Sequence, residues 1–389
     1  MLKRLFQFTV LILSLGQLTS IQKQGGLNIY LFDLAVGVFV LISFIYFIGE
    51  KKSFKIPKDS VFFALFFFAA LSSFIFNLGK YSDIAVFQAG FYLTRFFIYL
   101  LAGINVFNML DKNILSPQSL FKTIIFSGVL VSVLGLFQLK LLPDFEVLDS
   151  SLGWDPHKNR LASTFFDPNF TGAYLVICLT LLIDKYYQNN KKLDLSEYVF
   201  FLIIFAAFIL TFSRSAWGMF GLVILIYGIF KSRILLLLSL VVVFSAYFSV
   251  PRIQTRISGI TDPADSAAYR LVSWKNSLKI IKENYLTGAG YNFYRFVQKD
   301  YGFLESGNFS KHSGAGSDSS LLFVLATTGI IGFLFYFIGL VIPLFRKDVF
   351  IIALTVSLLG ESFFINSLFY PQIMFAFFCL LFTRCFLCK

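Results

Sequence analysis

The chain has 389 residues, of which 57% are hydrophobic and only 14% charged, with a formal net charge of +12 and a mean hydropathy of +0.78. A water-soluble domain keeps about a quarter of its residues charged, so this composition excludes a fully solvated surface. Apolar stretches of about 20 residues, enough to cross about 30 Å of hydrocarbon, recur along the whole sequence and exclude an unusually greasy soluble protein as well.

The first apolar run follows Met1-Leu2-Lys3-Arg4. No small-x-small cleavage site follows it and further spans come at once, so it reads as an uncleaved first helix. The expected fold class is an all-α polytopic membrane protein with about twelve transmembrane helices. The spans lie near 5–20, 28–49, 60–78, 84–108, 120–141, 166–184, 197–212, 215–230, 234–250, 317–343, 350–368 and 370–387. Basic residues such as Lys51, Lys52, Lys55 and Lys58 crowd the segments that are inside if both termini are cytoplasmic. The short outside turns hold only Lys23, Lys80 and Arg214. The positive-inside rule therefore orients the chain, and much of the net charge is topology signal rather than a nucleic-acid site.

The organisation expected from this pattern is spans one to nine over 1–250, a large external loop over 251–316, and spans ten to twelve over 317–389. The loop carries nine basic residues against five acidic ones. Bilayer topology needs no positive surface outside, so an anionic partner there is a natural reading. Asp262-Pro263 reads as a helix N-cap with Pro at the first helical position. Apolar residues then fall at Ala264, Ala267, Leu271, Trp274, Leu278, Ile281 and Tyr285, one face of an amphipathic helix with Arg270 on its flank. That helix is expected on the membrane surface or against the bundle, ending before Gly288-Ala289-Gly290. The four cysteines (Cys178, Cys379, Cys385 and Cys388) form no disulfide framework and no metal-ligand spacing.

Four polar stretches stand where lipid penalises them, all at the external face. They are Asn159-Arg160 through Ser163-Thr164 to Asp167-Pro168-Asn169, Thr211-Phe212-Ser213-Arg214-Ser215-Ala216-Trp217, Arg270 with Ser273 and Trp274, and His312 through Ser317-Asp318-Ser319-Ser320. Arg95, within the fourth span, is a further candidate, because an arginine at that depth usually faces the bundle interior. Its alternative is an internal ion pair with Asp33 or Glu361. Arginine suits phosphate because its planar fork makes two charge-assisted hydrogen bonds and keeps its proton. Two or three arginines at the lipid–water boundary would hold a lipid-linked pyrophosphate. The plain alternatives are snorkelling for Arg214, and for Asp167-Pro168-Asn169 an ordinary helix start.

In order, Arg160-Leu161-x-Ser163-Thr164-Phe165-x-Asp167-Pro168-Asn169, Phe212-Ser213-Arg214-Ser215-Ala216-Trp217, Arg270-Leu271-x-Ser273-Trp274-Lys275, Gly288-x-Gly290-Tyr291-Asn292 and Leu325-x-x-Thr328-Gly329-Ile330-Ile331-Gly332 resemble the O-antigen ligase and polymerase superfamily. The resemblance implies a GT-C-type glycosyltransferase of the bacterial inner membrane. It implies an undecaprenyl-pyrophosphate-linked glycan donor, a glycan or glycolipid acceptor, and an inverting transfer without metal or other cofactor. Carried over by position, Arg160 and Arg214 would bind donor phosphate with Arg270 assisting, and Asn169 and Arg95 complete the candidate substrate-binding set. In lipid A core ligases a His-Asn pair stands before the Thr-Gly-Ile-Ile-Gly-like stretch, and here that place holds Asp318-Ser319. Either Asp318 is the base, or His312, six residues earlier, reaches in, or the acceptor differs; the departure favours polymerase over ligase. The rival class is a flippase or transporter of lipid-linked oligosaccharide. Such folds usually show two related halves with polar groups near the midplane, whereas here no internal repeat is visible and the polar groups gather at one face.

Overall fold

The computed structural model describes residues 1–23, 27–50, 53–148, 157–249, 251–258, 266–304 and 316–383. Among the described residues, a helix overlaps each of the twelve predicted spans. The first nine are α1 (Leu2–Leu13), α2 (Leu31–Gly49), α3 (Ser60–Phe76), α4 (Asp83–Asp111), α5 (Pro117–Leu141), α6 (Pro168–Gln188), α7 (Leu195–Leu210), α8 (Arg214–Phe230) and α9 (Arg233–Ser249). Three short or amphipathic helices follow, α10 (Pro251–Ser258), α11 (Ser266–Glu283) and α12 (Tyr294–Asp300). The last three apolar helices are α13 (Ser320–Val341), α14 (Val349–Ser362) and α15 (Pro371–Thr383). Six helices, α2 to α6 and α13, are long and apolar enough to cross a membrane by length and composition. Five of the others are shorter apolar helices; α14 ends at Ser362, just past Glu361, well before the predicted 368. Asp262 and Pro263, read as the start of α11, lie outside the described residues.

The structure is mostly helical, as expected, with one short hairpin beside the helices. Residues Ser20–Lys23 (β1) and Leu27–Tyr30 (β2) form an antiparallel hairpin, Ser20 opposite Tyr30 and Lys23 opposite Leu27. The first predicted span is correspondingly short, because Gly16, at φ +49, lies against the backbone of Thr164, and a Cβ there would meet the Thr164 carbonyl oxygen at 2.4 Å. Chain reversal at that contact leaves the following residues to pair as strands rather than to prolong α1.

Packing follows the apolar composition. Phe63, Phe66, Phe96, Tyr336, Phe369 and Phe378 make one edge-to-face and stacked cluster that joins α3, α4, α13 and α15. Such ring pairs contribute about 0.5–1.5 kcal/mol each beyond their buried area. Large apolar side chains such as Leu41 and Ile48 of α2 and Phe68 and Phe76 of α3 point outward. On a water-facing surface they would be an aggregation hazard; on a membrane helix they meet a solvent of their own kind.

The helix α13 is interrupted at Gly329, whose φ of +65 is non-helical. The segment after α11 fills the break. Ala289 N donates to the Ala326 carbonyl (2.9 Å) and Ile330 N donates to the Tyr285 carbonyl (2.9 Å). The Thr327 carbonyl is taken by Ser73 Oγ of α3 (2.7 Å). Irregular backbone at this depth is tolerable only when protein groups satisfy it. The approach is too close for side chains: a Cβ at Gly288 would meet the Thr327 oxygen at 2.4 Å, and one at Gly329 would meet the Leu286 oxygen at 2.2 Å. Glycine is required at both positions, each at positive φ. Gly288→Val or Gly329→Val is expected to cost about 2–5 kcal/mol, from overpacking together with left-handed strain. Gly218→Ala, which meets nothing within 4 Å, should leave thermal unfolding in detergent unchanged or slightly raised.

Candidate functional site

The site is built where three helices begin at one end of the bundle. Asp167 caps α6, its Oδ1 accepting from Asn169 N (2.6 Å) and Phe170 N (3.3 Å), with Pro168 as the first helical residue. Ser213 caps α8 in the same way, through Ala216 N (3.4 Å). The two starts are brought together by Gly172, where a Cβ would stand 2.6 Å from the Ala216 Cβ. Close approach of this kind is what small residues supply between membrane helices.

The close approach links the first two polar stretches. Asn169 Oδ1 accepts from Ser213 Oγ (2.8 Å) and from Arg160 Nη2 (3.3 Å), and Arg160 Nε donates to the Thr211 carbonyl (2.9 Å). Arg214 is the first residue of α8, and its Nη1 donates to the Arg256 carbonyl of α10 (3.2 Å). Arg252 of the same helix lies over the Phe212 ring at 4.2 Å. Phe166 and Phe212 hold left-handed backbone, at φ +53 and +47. Bulky residues are genuine outliers there, and such strain clusters at functional sites.

The third and fourth stretches meet across α11 and α13. Asp318 N donates to Ser273 Oγ (3.1 Å), and the Asp318 carbonyl accepts from Trp274 Nε1 (3.3 Å). One turn further on, Ser277 Oγ lies 2.8 Å from Ser317 Oγ and 2.6 Å from the Tyr294 hydroxyl. The inward face of α11 therefore includes Ser273, Trp274 and buried Ser277, followed by Ile280 and Ile281. Leu271 and Leu278 of the predicted apolar stripe are each 55% exposed. The expected stripe is not a single buried face, since Leu271, Leu278 and Tyr285 are exposed while Ile281 is buried, and Arg270 comes to the site rather than to its flank.

Electrostatics join these pieces. Arg270 feels Asp318, Arg214, Glu361 and Asp167; burial holds its pKa below the ordinary arginine value, Asp318 pulling the other way and Arg214 adding to the fall. Burial pushes Arg160 down to about 9, helped by the Arg256 guanidinium and opposed by Asp167, with Arg252 and Arg270 adding repulsion. Guanidinium groups crowded together and removed from water disfavour their own charge. An anion entering among them relieves both penalties at once. A lone snorkelling arginine would show neither.

Thus Arg160, Asn169, Arg214, Arg270 and Asp318 gather in one place. Arg95 does not stand with them. It is 7% exposed, and its Nη2 donates to Asp33 Oδ2 (2.6 Å) and to the Asn28 carbonyl (2.6 Å). Tyr30, Phe91 and Tyr92 surround the guanidinium. The internal pair with Asp33 is the alternative that forms. His312 lies outside the described residues. Sequence reasoning passed over Arg252 and Arg256, read only as loop charge, and Glu361, weighed only as a partner for Arg95. An ionisable residue inside an apolar run is itself a functional signal, and that rule would have found Glu361.

The fold defines a helical membrane protein with a cluster of arginines at one end of its bundle. Residues 199–337, which include Arg214, Arg270 and Asp318, match the family model described as O-Antigen ligase, the superfamily that the motifs resemble. No curated protein matches the chain.

Proposed function

We propose that the protein is a membrane glycosyltransferase of the O-antigen ligase or polymerase type, moving a glycan from undecaprenyl pyrophosphate to an acceptor sugar or glycolipid. The observation that carries this reading is the gathering of buried Arg160 and Arg270 with Arg214 beside Arg270, at one end of an apolar bundle. Transfer needs stabilisation of charge that builds on the leaving pyrophosphate, and fixed donors in a water-poor site supply it most effectively. Arg214 and Arg270 provide the forks. Arg160 contributes from a guanidinium oriented by Asn169 and the Thr211 carbonyl. Asp318 or His312 takes the proton of the acceptor hydroxyl, and attack opposite the leaving group inverts the anomeric carbon.

In this reading twelve helices of a GT-C-like fold cross the bacterial inner membrane, both termini are cytoplasmic, and the large loop that carries Arg270 is external. Asp318-Ser319, where ligases carry His-Asn, favours a polymerase. The test is transfer by purified protein in detergent, with lipid-pyrophosphate donor and acceptor and no sealed compartment. Glycan transfer is expected, undiminished by a chelator such as EDTA because arginine supplies the charge. Activity restored only by added divalent cation would refute the metal-free scheme. A requirement for sealed vesicles, with donor movement but no new glycosidic bond, would identify a flippase or transporter instead. Surface glycans of a deletion strain separate the two enzyme readings: a single repeat still attached means polymerase, complete loss of attached glycan means ligase.

A further inference from the structure

Glu361, in the last turn of α14, is only 2% exposed. Neither of its carboxylate oxygens has a hydrogen-bond partner among the described residues. The hydroxyls of Ser367 and Ser215 bear on it as weak hydrogen-bond donors outside strict geometry, and Ser215 Oγ also lies 3.1 Å from Ser213 Oγ. Buried polar groups in native proteins are almost always satisfied, and an open one demands a reason. The chain just beyond repeats the pattern. Asn366 Oδ1, Ser367 Oγ and both amide atoms of Gln372 are buried and lack partners among the described residues. This corner belongs to the site: Arg270 and Asp167 both act on Glu361 electrostatically, and a Cβ on Gly316, two residues before Asp318, would meet Asn366 Nδ2 at 3.0 Å.

Unused acceptors and donors within one short stretch of chain are what a sugar's hydroxyl groups require, since each hydroxyl both gives and takes a hydrogen bond. An open carboxylate among them is the group that takes a proton. We infer that the corner 361–372 receives the acceptor sugar and that Glu361 is the base for transfer. The attacking hydroxyl gives its proton to Glu361 as its oxygen bonds to the anomeric carbon. The bond from that carbon to the phosphate oxygen breaks, and its electron pair leaves with the pyrophosphate into the arginine group. Asn366, Ser367 and Gln372 orient the acceptor. The inference rests on the glycosyl-transfer reading above and differs from it in moving the base from Asp318 or His312 to Glu361.

The test compares variants of the full-length protein in detergent, each measured for transfer and, separately, for binding of a fluorescent lipid pyrophosphate. Glu361→Gln is expected to lower transfer about 10²–10⁴-fold, the usual worth of a general base, with pyrophosphate binding within about twofold of wild type. Glu361→Asp, which keeps the carboxylate, should be intermediate. Added formate should restore part of the rate to Glu361→Ala, because a small carboxylate fits the space left. Transfer by Glu361→Gln within about threefold of wild type would overturn the assignment, given what removing a base costs. So would a loss of rate that comes with lost pyrophosphate binding and no formate rescue, since that marks a merely structural role. Formate rescue of Asp318→Ala but not of Glu361→Ala would return the base to Asp318. If wild-type protein binds donor and acceptor yet forms no glycosidic bond, the glycosyl-transfer reading itself fails, and this inference with it.

Discussion

Arg214→Lys is expected to lower transfer about 10²–10³-fold, the loss seen when one fixed donor to a developing charge is removed. The positive charge survives this change and the fork does not. Lysine presents a compact, strongly hydrated point charge that cannot make two parallel bonds to phosphate. Arg214 starts α8 and is braced by the Arg256 carbonyl at 3.2 Å, so its guanidinium is held before the donor arrives. Initial rates over a range of donor concentrations check the prediction. The fall should lie mainly in kcat, since charge on the leaving group is largest in the transition state. Unchanged turnover would mean that Arg214 only snorkels at a helix end. Asn169→Ala tests the same machinery indirectly. It removes the acceptor shared by Arg160 and Ser213, and a smaller loss is expected, because the Thr211 carbonyl still holds Arg160 Nε.

Asp33→Ala is expected to destabilise the bundle by about 3–5 kcal/mol, because it leaves Arg95 as an uncompensated buried charge. The pair joins α2 to α4, with both side chains less than a tenth exposed and 2.6 Å between Arg95 Nη2 and Asp33 Oδ2. Asp33 also accepts from the Tyr99 hydroxyl (2.9 Å) and from Tyr30 N (2.8 Å), so the carboxylate closes the start of α2 as well. Replacing both partners at once, as Asp33→Leu with Arg95→Met, should recover most of the loss, since an apolar substitute for a buried pair is often neutral. Thermal unfolding in detergent distinguishes the cases. An Asp33→Ala melting curve that overlays wild type would show that the pair contributes nothing. The double variant also isolates any role of Arg95 toward substrate: transfer at the wild-type rate in a restored bundle would confine Arg95 to structure.

Much of this molecule is legible in its residues. Span length and composition mark a membrane protein, and the long apolar runs become helices, six of them long and apolar enough to cross a membrane, because backbone groups in hydrocarbon have to be satisfied within the segment. Local capping chemistry is equally plain. Asp167 before Pro168 starts α6 where its short-range signal says, and the motif order already carries the resemblance that residues 199–337 bear out. Four separate polar stretches announce themselves because lipid makes them costly.

Only the tertiary structure decides what covers each face and which charges meet. A helical period locates the apolar stripe of α11 but cannot distinguish lipid from protein as its neighbour. The packed helix turns Ser273 and Ser277 inward, brings Arg270 to Asp318, and leaves Leu271 and Leu278 outward. The choice of Asp33 over Glu361 as partner of Arg95 depends on contacts between helices far apart in sequence, and that choice leaves Glu361 at the arginine site. The glycines at 288 and 329 read as separate motifs, and only their contact explains both, one filling the break that the other makes. Local sequence sets which residues resist burial in lipid; long-range packing sets which of them face one another.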